Sequence, residues 1–148
     1  MTDLERLMAI EEIHQLKACY FRCMDTKDWA GLTAVFSPDG ELDMRGEAAD
    51  KSKAAEGLVH GATAIGAFIR NAVLDLVTVH HGHMPEIEVT SPTWAKGIWA
   101  MEDILRWPEG GPIKTLQGYG HYHETYRKLD GAWHIQTSRL SRLRVDIT

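Results

Sequence analysis

The chain has 148 residues, 44% of them apolar and 25% charged, with a formal charge of −5 when the histidines are neutral. That is one domain's worth of ordinary globular sequence, able to bury roughly 70% of its unfolded surface without staples. The acidic balance argues against a nucleic-acid partner, which would want a basic stripe; the one basic cluster is Arg139, Arg142 and Arg144, interleaved with apolar residues.

The opening stretch, residues 1–17, is charged and amphipathic and lacks the apolar h-region of a signal peptide. No later stretch approaches the length of a membrane span. The expectation is a cytoplasmic protein with no membrane partner. Residues 3–24 read as a helix, with Leu4, Leu7, Met8, Ile10, Ile13, Leu16, Cys19, Tyr20 and Cys23 at three-and-four spacing and Thr2 or Asp3 as cap. Cys19 and Cys23 read as reduced thiols, because a bridge at that spacing would strain the helix. After Asp25-Thr26-Lys27-Asp28 a short second helix carries Trp29, Leu32, Val35 and Phe36. Ser37-Pro38-Asp39-Gly40 is a turn signal. A short strand over 41–45 and a polar loop over 46–60, with room for a helical turn, lead to a third helix over 61–76.

From residue 77 the texture becomes that of strands: 77–90, 94–107, 115–129 and 132–146, the last pair joined by the tight Asp130-Gly131 turn. Helices first and hairpin-linked strands afterwards imply an α+β fold, one domain over 1–148, with N-terminal helices packed on a curved antiparallel sheet.

Several polar residues sit where a helix-facing strand should be apolar. Asp103 shares a strand face with Trp99, Met101 and Leu105, and a carboxylate there is costly unless paired. Histidines at 80, 81, 83, 121, 123 and 134 offer partners. An imidazole fixed by a carboxylate is a proton shuttle near neutral pH, although a structural His–Asp pair has the same pattern. Spacing alone reads Asp25 as the cap of the second helix, since five helical positions from Tyr20 turn it about 140° away. His81 and His83 share one strand face, as do His121 and His123, but no zinc motif accompanies them, so no metal is expected. The absence of GxGxxG, P-loop and GxSxG patterns points away from nucleotide cofactors and serine nucleophiles.

Four segments together resemble a known family. Leu16–Asp25 with Trp29 is similar to the first-helix motif of SnoaL-like dehydratases in the NTF2-like superfamily. Val79–Ile87 is similar to the family's histidine strand, Ala95–Asp103 to its next strand, and Tyr126–Ile135 to its final hairpin. Within that family the chain resembles bile-acid 7α-dehydratases and, more distantly, scytalone dehydratases. The resemblance implies a cone-shaped α+β barrel with a pocket in its open end, assembled as a homo-oligomer, usually a trimer. It implies a catalytic set of Tyr20, Asp25, His80, Asp103 and Arg142, and so overrides the capping role for Asp25. Arg142 reaches that set only if a bulge changes its strand parity relative to Trp133. The reaction expected is cofactor-independent loss of water from an apolar cyclic hydroxy-carbonyl compound, with His80 held by Asp103. An isomerase or cyclase with the same groups, a non-catalytic binder and a dioxygenase accessory subunit are the rivals.

Overall fold

A computed structural model describes residues 1–47 and 51–148. Helix α1 runs Asp3–Asp25, α2 Trp29–Ala34 and α3 Ala62–Val73, while strands β1 (Phe36–Asp43), β2 (Leu58–His60), β3 (Val77–Ser91), β4 (Trp94–Arg106), β5 (Thr115–Leu129) and β6 (Ala132–Ile147) form one sheet. Its order is β2-β1-β6-β5-β4-β3. The four long strands are antiparallel, as expected, but β1 runs parallel to β6, so the sheet is mixed and unclosed. No helix among the described residues is long and apolar enough to cross a membrane.

The helices cover the face of the sheet that carries Trp99, Met101, Tyr122, Tyr126, Trp133, Ile135 and Leu140, all buried. A capping box between Thr2 and Glu5 starts α1. Its first two turns extend beyond the core, leaving Leu4, Leu7 and Met8 exposed, against the expectation that they belong to the buried stripe. The buried residues are Ala9, Ile13, Lys17, Tyr20, Phe21, Cys23 and Met24, so Ile13, Tyr20 and Cys23 keep their expected place and the stripe contains a charge. Cys19 and Cys23 are free thiols, with Sγ atoms 3.6 Å apart.

Three local readings change. Phe36 opens β1 rather than closing α2, because Val35 already caps that helix. Ser37–Gly40, read as a turn, lies inside β1, where the pairing with β6 shifts register between Phe36 and Glu41. Pro38 and Gly40 mark that irregularity, as these residues do in strands. The segment read as a loop over 46–60 holds 3-10 turns over Arg45–Glu47 and Lys51–Gly57 and then β2. The part of that reading that falls on 48–50 lies outside the described residues.

Candidate active site

Helix α1 stays regular through Asp25 and stops there, Thr26 returning its N–H to the Arg22 carbonyl. Lys27 takes a φ of 63°, and the cap of α2 is Asp28, whose Oδ1 accepts from the Gly31 N–H at 2.9 Å. Asp25 is thus released from any capping duty and turns onto β3. Its Oδ2 accepts the backbone N–H of His80 at 2.9 Å. Its Oδ1 accepts from the Thr78 hydroxyl at 2.9 Å and meets His80 Nδ1 at 2.7 Å. An ionised carboxylate only accepts, so Nδ1 carries a proton, and in the neutral ring the lone pair is on Nε2. Burial works to raise the pKa of Asp25, but the side-chain and backbone hydrogen bonds from His80 outweigh it and hold the carboxyl below its usual value.

Asp103 is the cross-strand neighbour of His80, and both are buried. It does not hold the imidazole. His80 Nε2 lies 4.0 Å from Asp103 Oδ2, beyond hydrogen-bond range, whereas Arg142 grips both oxygens of Asp103 at 2.7 and 2.9 Å. The expected His80–Asp103 clamp is therefore replaced by two separate pairs, Asp25–His80 and Arg142–Asp103, which face each other. The physical reason is that the planar guanidinium matches a carboxylate bidentately and takes both acceptors. Arg142 also donates from Nε to Glu47 at 2.8 Å. Burial opposes its charge, but the bonds to Asp103 and Glu47 hold its pKa above the usual arginine value.

The change of parity that Arg142 requires is present. Pairing between β5 and β6 slips at Gln136, between Tyr126–Ile135 and Thr125–Thr137, so that Ser138, Leu140 and Arg142 continue the inward face begun by Trp133 and Ile135. A second slip at Leu143 turns Val145 and Ile147 inward. Gly118, opposite Asp103, leaves room for the ion pair: a Cβ there would collide with Arg142 Nη1 and Asp103 Oδ1. Arg139 and Arg144 point to the outer face, where Arg144 pairs with Asp146. On the inner face beyond Asp103 lie Leu105, Leu116, Val145 and Ile147, the last two exposed, which makes an apolar approach.

Tyr20 is buried, its ring edge-on to that of Tyr122 with centroids 6.0 Å apart, within electrostatic reach of Asp103 and Asp25. Burial first, then the charge of Glu124, pushes its pKa far up, so the phenol is a proton donor at all ordinary pH. Phe21 lies nearly parallel to the His80 ring, with centroids 6.3 Å apart.

Sequence reasoning missed five residues around this cluster: Thr78, Glu47, Tyr122, Lys17 and Glu124. Lys17 and Glu124 form an ion pair at 2.6 Å with no exposure on either side chain. Two signals were there to find them. Lys17 follows Ile13 by four on the buried stripe, and Glu124 shares strand parity with Tyr122 and Tyr126.

The remaining histidines lie elsewhere. His81 meets Glu102 at 3.0 Å in solvent, and His123 meets the Ser141 hydroxyl at 2.9 Å on the outer face. Among the described residues no three His, Cys, Asp or Glu side chains are arranged to hold a metal ion. A groove of about 730 Å³ crosses the outer face past Glu41, Lys96, His123 and Arg139, and it contains none of the five expected site residues.

A family model described as SnoaL-like domain matches residues 5–139. A probable cyclase of Gibberella zeae is 28% identical over 142 residues, covering 88% of this chain and 89% of that one. The backbone superposes on a scytalone-dehydratase candidate from Novosphingobium aromaticivorans with TM-score 0.84 at 20% identity, covering 99% and 92% of the two chains. A type 3 hexachlorocyclohexane dehydrochlorinase, LinA, from Novosphingobium barchaimii LL02 gives 0.80 at 18% identity, covering 99% and 94%. The chain belongs to the SnoaL-like family, and its fold is NTF2-like.

Proposed function

We propose that this SnoaL-like chain is a cofactor-independent dehydratase that removes water from a neutral or weakly polar cyclic hydroxy-carbonyl compound. The observation that carries the reading is the Asp25–His80 pair, which keeps a proton on Nδ1 and turns Nε2, the lone-pair nitrogen of the neutral ring, toward the Asp103 side of the cluster. In the reaction, Nε2 takes the proton next to the carbonyl, and the C–H electron pair passes into an enolate. The negative oxygen receives a hydrogen bond from the Tyr20 phenol. The C–O bond of the β-hydroxyl then breaks, its electron pair leaves with oxygen, and the imidazolium returns the proton to give water. Asp25 stays ionised and stabilises the imidazolium in between. The carbonyl serves as electron sink.

Arg142 occupies both oxygens of Asp103, which leaves the imidazole of His80 to act as the acid. An anchoring role toward an acidic substituent is not supported, since the guanidinium already serves two carboxylates, Asp103 and Glu47. Leu105, Leu116, Val145 and Ile147 favour an apolar ring at the approach. Elimination is also the chemistry for which the dehydratase and dehydrochlorinase neighbours are named. The curated relative favours a second reading, ring closure by the same proton transfers.

The test is to incubate the protein with a panel of cyclic β-hydroxyketones and follow products by mass. Loss of 18 mass units, abolished or cut about 10²–10⁴-fold in His80→Ala, supports dehydration. A product of unchanged mass indicates cyclisation or isomerisation, and unchanged turnover in His80→Ala removes the imidazole from the mechanism.

A further inference from the structure

The proposed chemistry has no use for Lys17 and Glu124, yet both are fully buried. An ion pair taken out of water carries a desolvation cost that hydrocarbon of equal size would avoid. Burial lowers the pKa of Lys17, and Glu124 opposes that shift. The carboxylate is tied down from three directions. Oε1 accepts from Lys17 at 2.6 Å and from the Ser138 hydroxyl at 2.9 Å, and Oε2 accepts from the Tyr126 hydroxyl at 2.6 Å. Tyr126 is itself fixed by Trp99 Nε1 at 2.7 Å. Strands β4, β5 and β6 thus fix one point in the core, and a single residue of α1 binds to it.

The position of that point matters. Lys17 precedes Tyr20 by three on one helix face, and Glu124 follows Tyr122 by two on one strand face. Joining Lys17 to Glu124 therefore sets where the rings of Tyr20 and Tyr122 pack. The ammonium lies 4.2 Å from the Tyr20 ring centroid, 3.7 Å from that of Tyr122 and 4.9 Å from that of Phe21. Phe21 in turn lies 15° from parallel with the His80 ring.

We propose that Lys17 and Glu124 are a positioning pair that sets the rotation and height of α1 against the sheet, and so aims Tyr20 and Asp25 at His80. Apolar side chains would bury the helix equally well but would let it slide and roll, since hydrophobic contact has no direction. What the aim is for rests on the dehydratase reading; the aim itself is measurable without substrate.

The probe is the Nδ1–H resonance of His80 in histidine-labelled protein, identified by its absence in His80→Gln. Wild type is expected to show it as a sharp, slowly exchanging signal, because Asp25 holds that proton. The double variant Lys17→Met with Glu124→Leu is expected to stay folded, with a thermal midpoint equal to or above wild type. Its Nδ1–H signal is expected to broaden or vanish, and turnover on any hydroxyketone that wild type dehydrates is expected to fall at least about tenfold in kcat with little change in KM. Ser138→Ala, which takes away one donor from Glu124 and nothing from the site, is expected to give a smaller loss of exchange protection in the same direction. Glu124→Gln, which preserves an acceptor for Lys17, is expected to retain most of the wild-type signal. A folded double variant with an unchanged resonance, or an unchanged Ser138→Ala where the double variant does not fold, overturns the proposal. Absence of any dehydration by wild type overturns the functional reading and leaves the resonance test standing.

Discussion

Asp25 and His80 meet at two points: the carboxylate takes the imidazole Nδ1–H at 2.7 Å with one oxygen and the backbone N–H of the same residue at 2.9 Å with the other. The double contact fixes both the ring and the strand that carries it. An asparagine at 25 keeps the volume but brings an amide that can donate to Nδ1, which moves the ring proton to Nε2 and removes the base. Asp25→Asn is therefore expected to lower kcat/KM about 10²–10⁴-fold on a hydroxyketone substrate, with near-native circular dichroism. A variant within a factor of two of wild type would show that the tautomer does not matter.

The same pair makes stability depend on pH. The folded-state pKa of Asp25 is depressed, because the hydrogen bonds from His80 outweigh the burial that would raise it. A depressed carboxyl contributes stability that is present above its unfolded pKa of about 4 and is lost as pH falls through the lower folded value. Wild type is expected to melt above Asp25→Asn at pH 7, and the gap is expected to close progressively below pH of about 4. A constant gap from pH 7 to pH 3 would mean that the carboxylate is not stabilised by its partners.

The fold was largely legible because its long elements are strongly patterned. Helix α1 and the four long strands follow from periodicity and from the Asp130-Gly131 turn. The parallel pairing of β1 with β6 was not legible, since a strand interrupted by Pro38 and Gly40 reads as a turn and its partner is distant in sequence. The site was readable as a set of residue types and misread as a set of bonds. Strand reasoning asks only for a partner to Asp103 and offers several histidines; the family resemblance singles out His80, which is its cross-strand neighbour. Both missed that Arg142, brought inward by the bulge at Gln136, outcompetes an imidazole for both oxygens. The Lys17–Glu124 pair escaped because a charge at a buried helical position looks like an ordinary break in an apolar stripe.

Arg142 and Asp103 are expected to depend on each other. Their side chains are 16% and 5% exposed, and removing one partner leaves the other charge unpaired in the core. Arg142→Met is expected to cost about 3–5 kcal/mol in urea unfolding, and adding Asp103→Asn to it is expected to recover a large part of that loss. Additive losses in the double variant would mean that each residue acts through separate contacts, with Glu47 the first to examine for Arg142.

Gly118 tests the packing of that ion pair from the strand below it. The residue needs no unusual backbone conformation; its value is the missing Cβ, which would otherwise collide with Arg142 Nη1 and Asp103 Oδ1. Neither neighbour can retreat without breaking the bidentate geometry, since Asp103 is directly cross-strand and Arg142 is tethered to Glu47 through Nε. Gly118→Ala is expected to destabilise by about 1–3 kcal/mol, the usual cost of overpacking. It is also expected to lower turnover more than it perturbs the Asp25–His80 pair, because the displaced carboxylate is the group that faces Nε2. Urea unfolding and the His80 Nδ1–H resonance separate the two effects. Wild-type stability together with wild-type turnover in Gly118→Ala would show that the ion pair has slack that the geometry does not suggest.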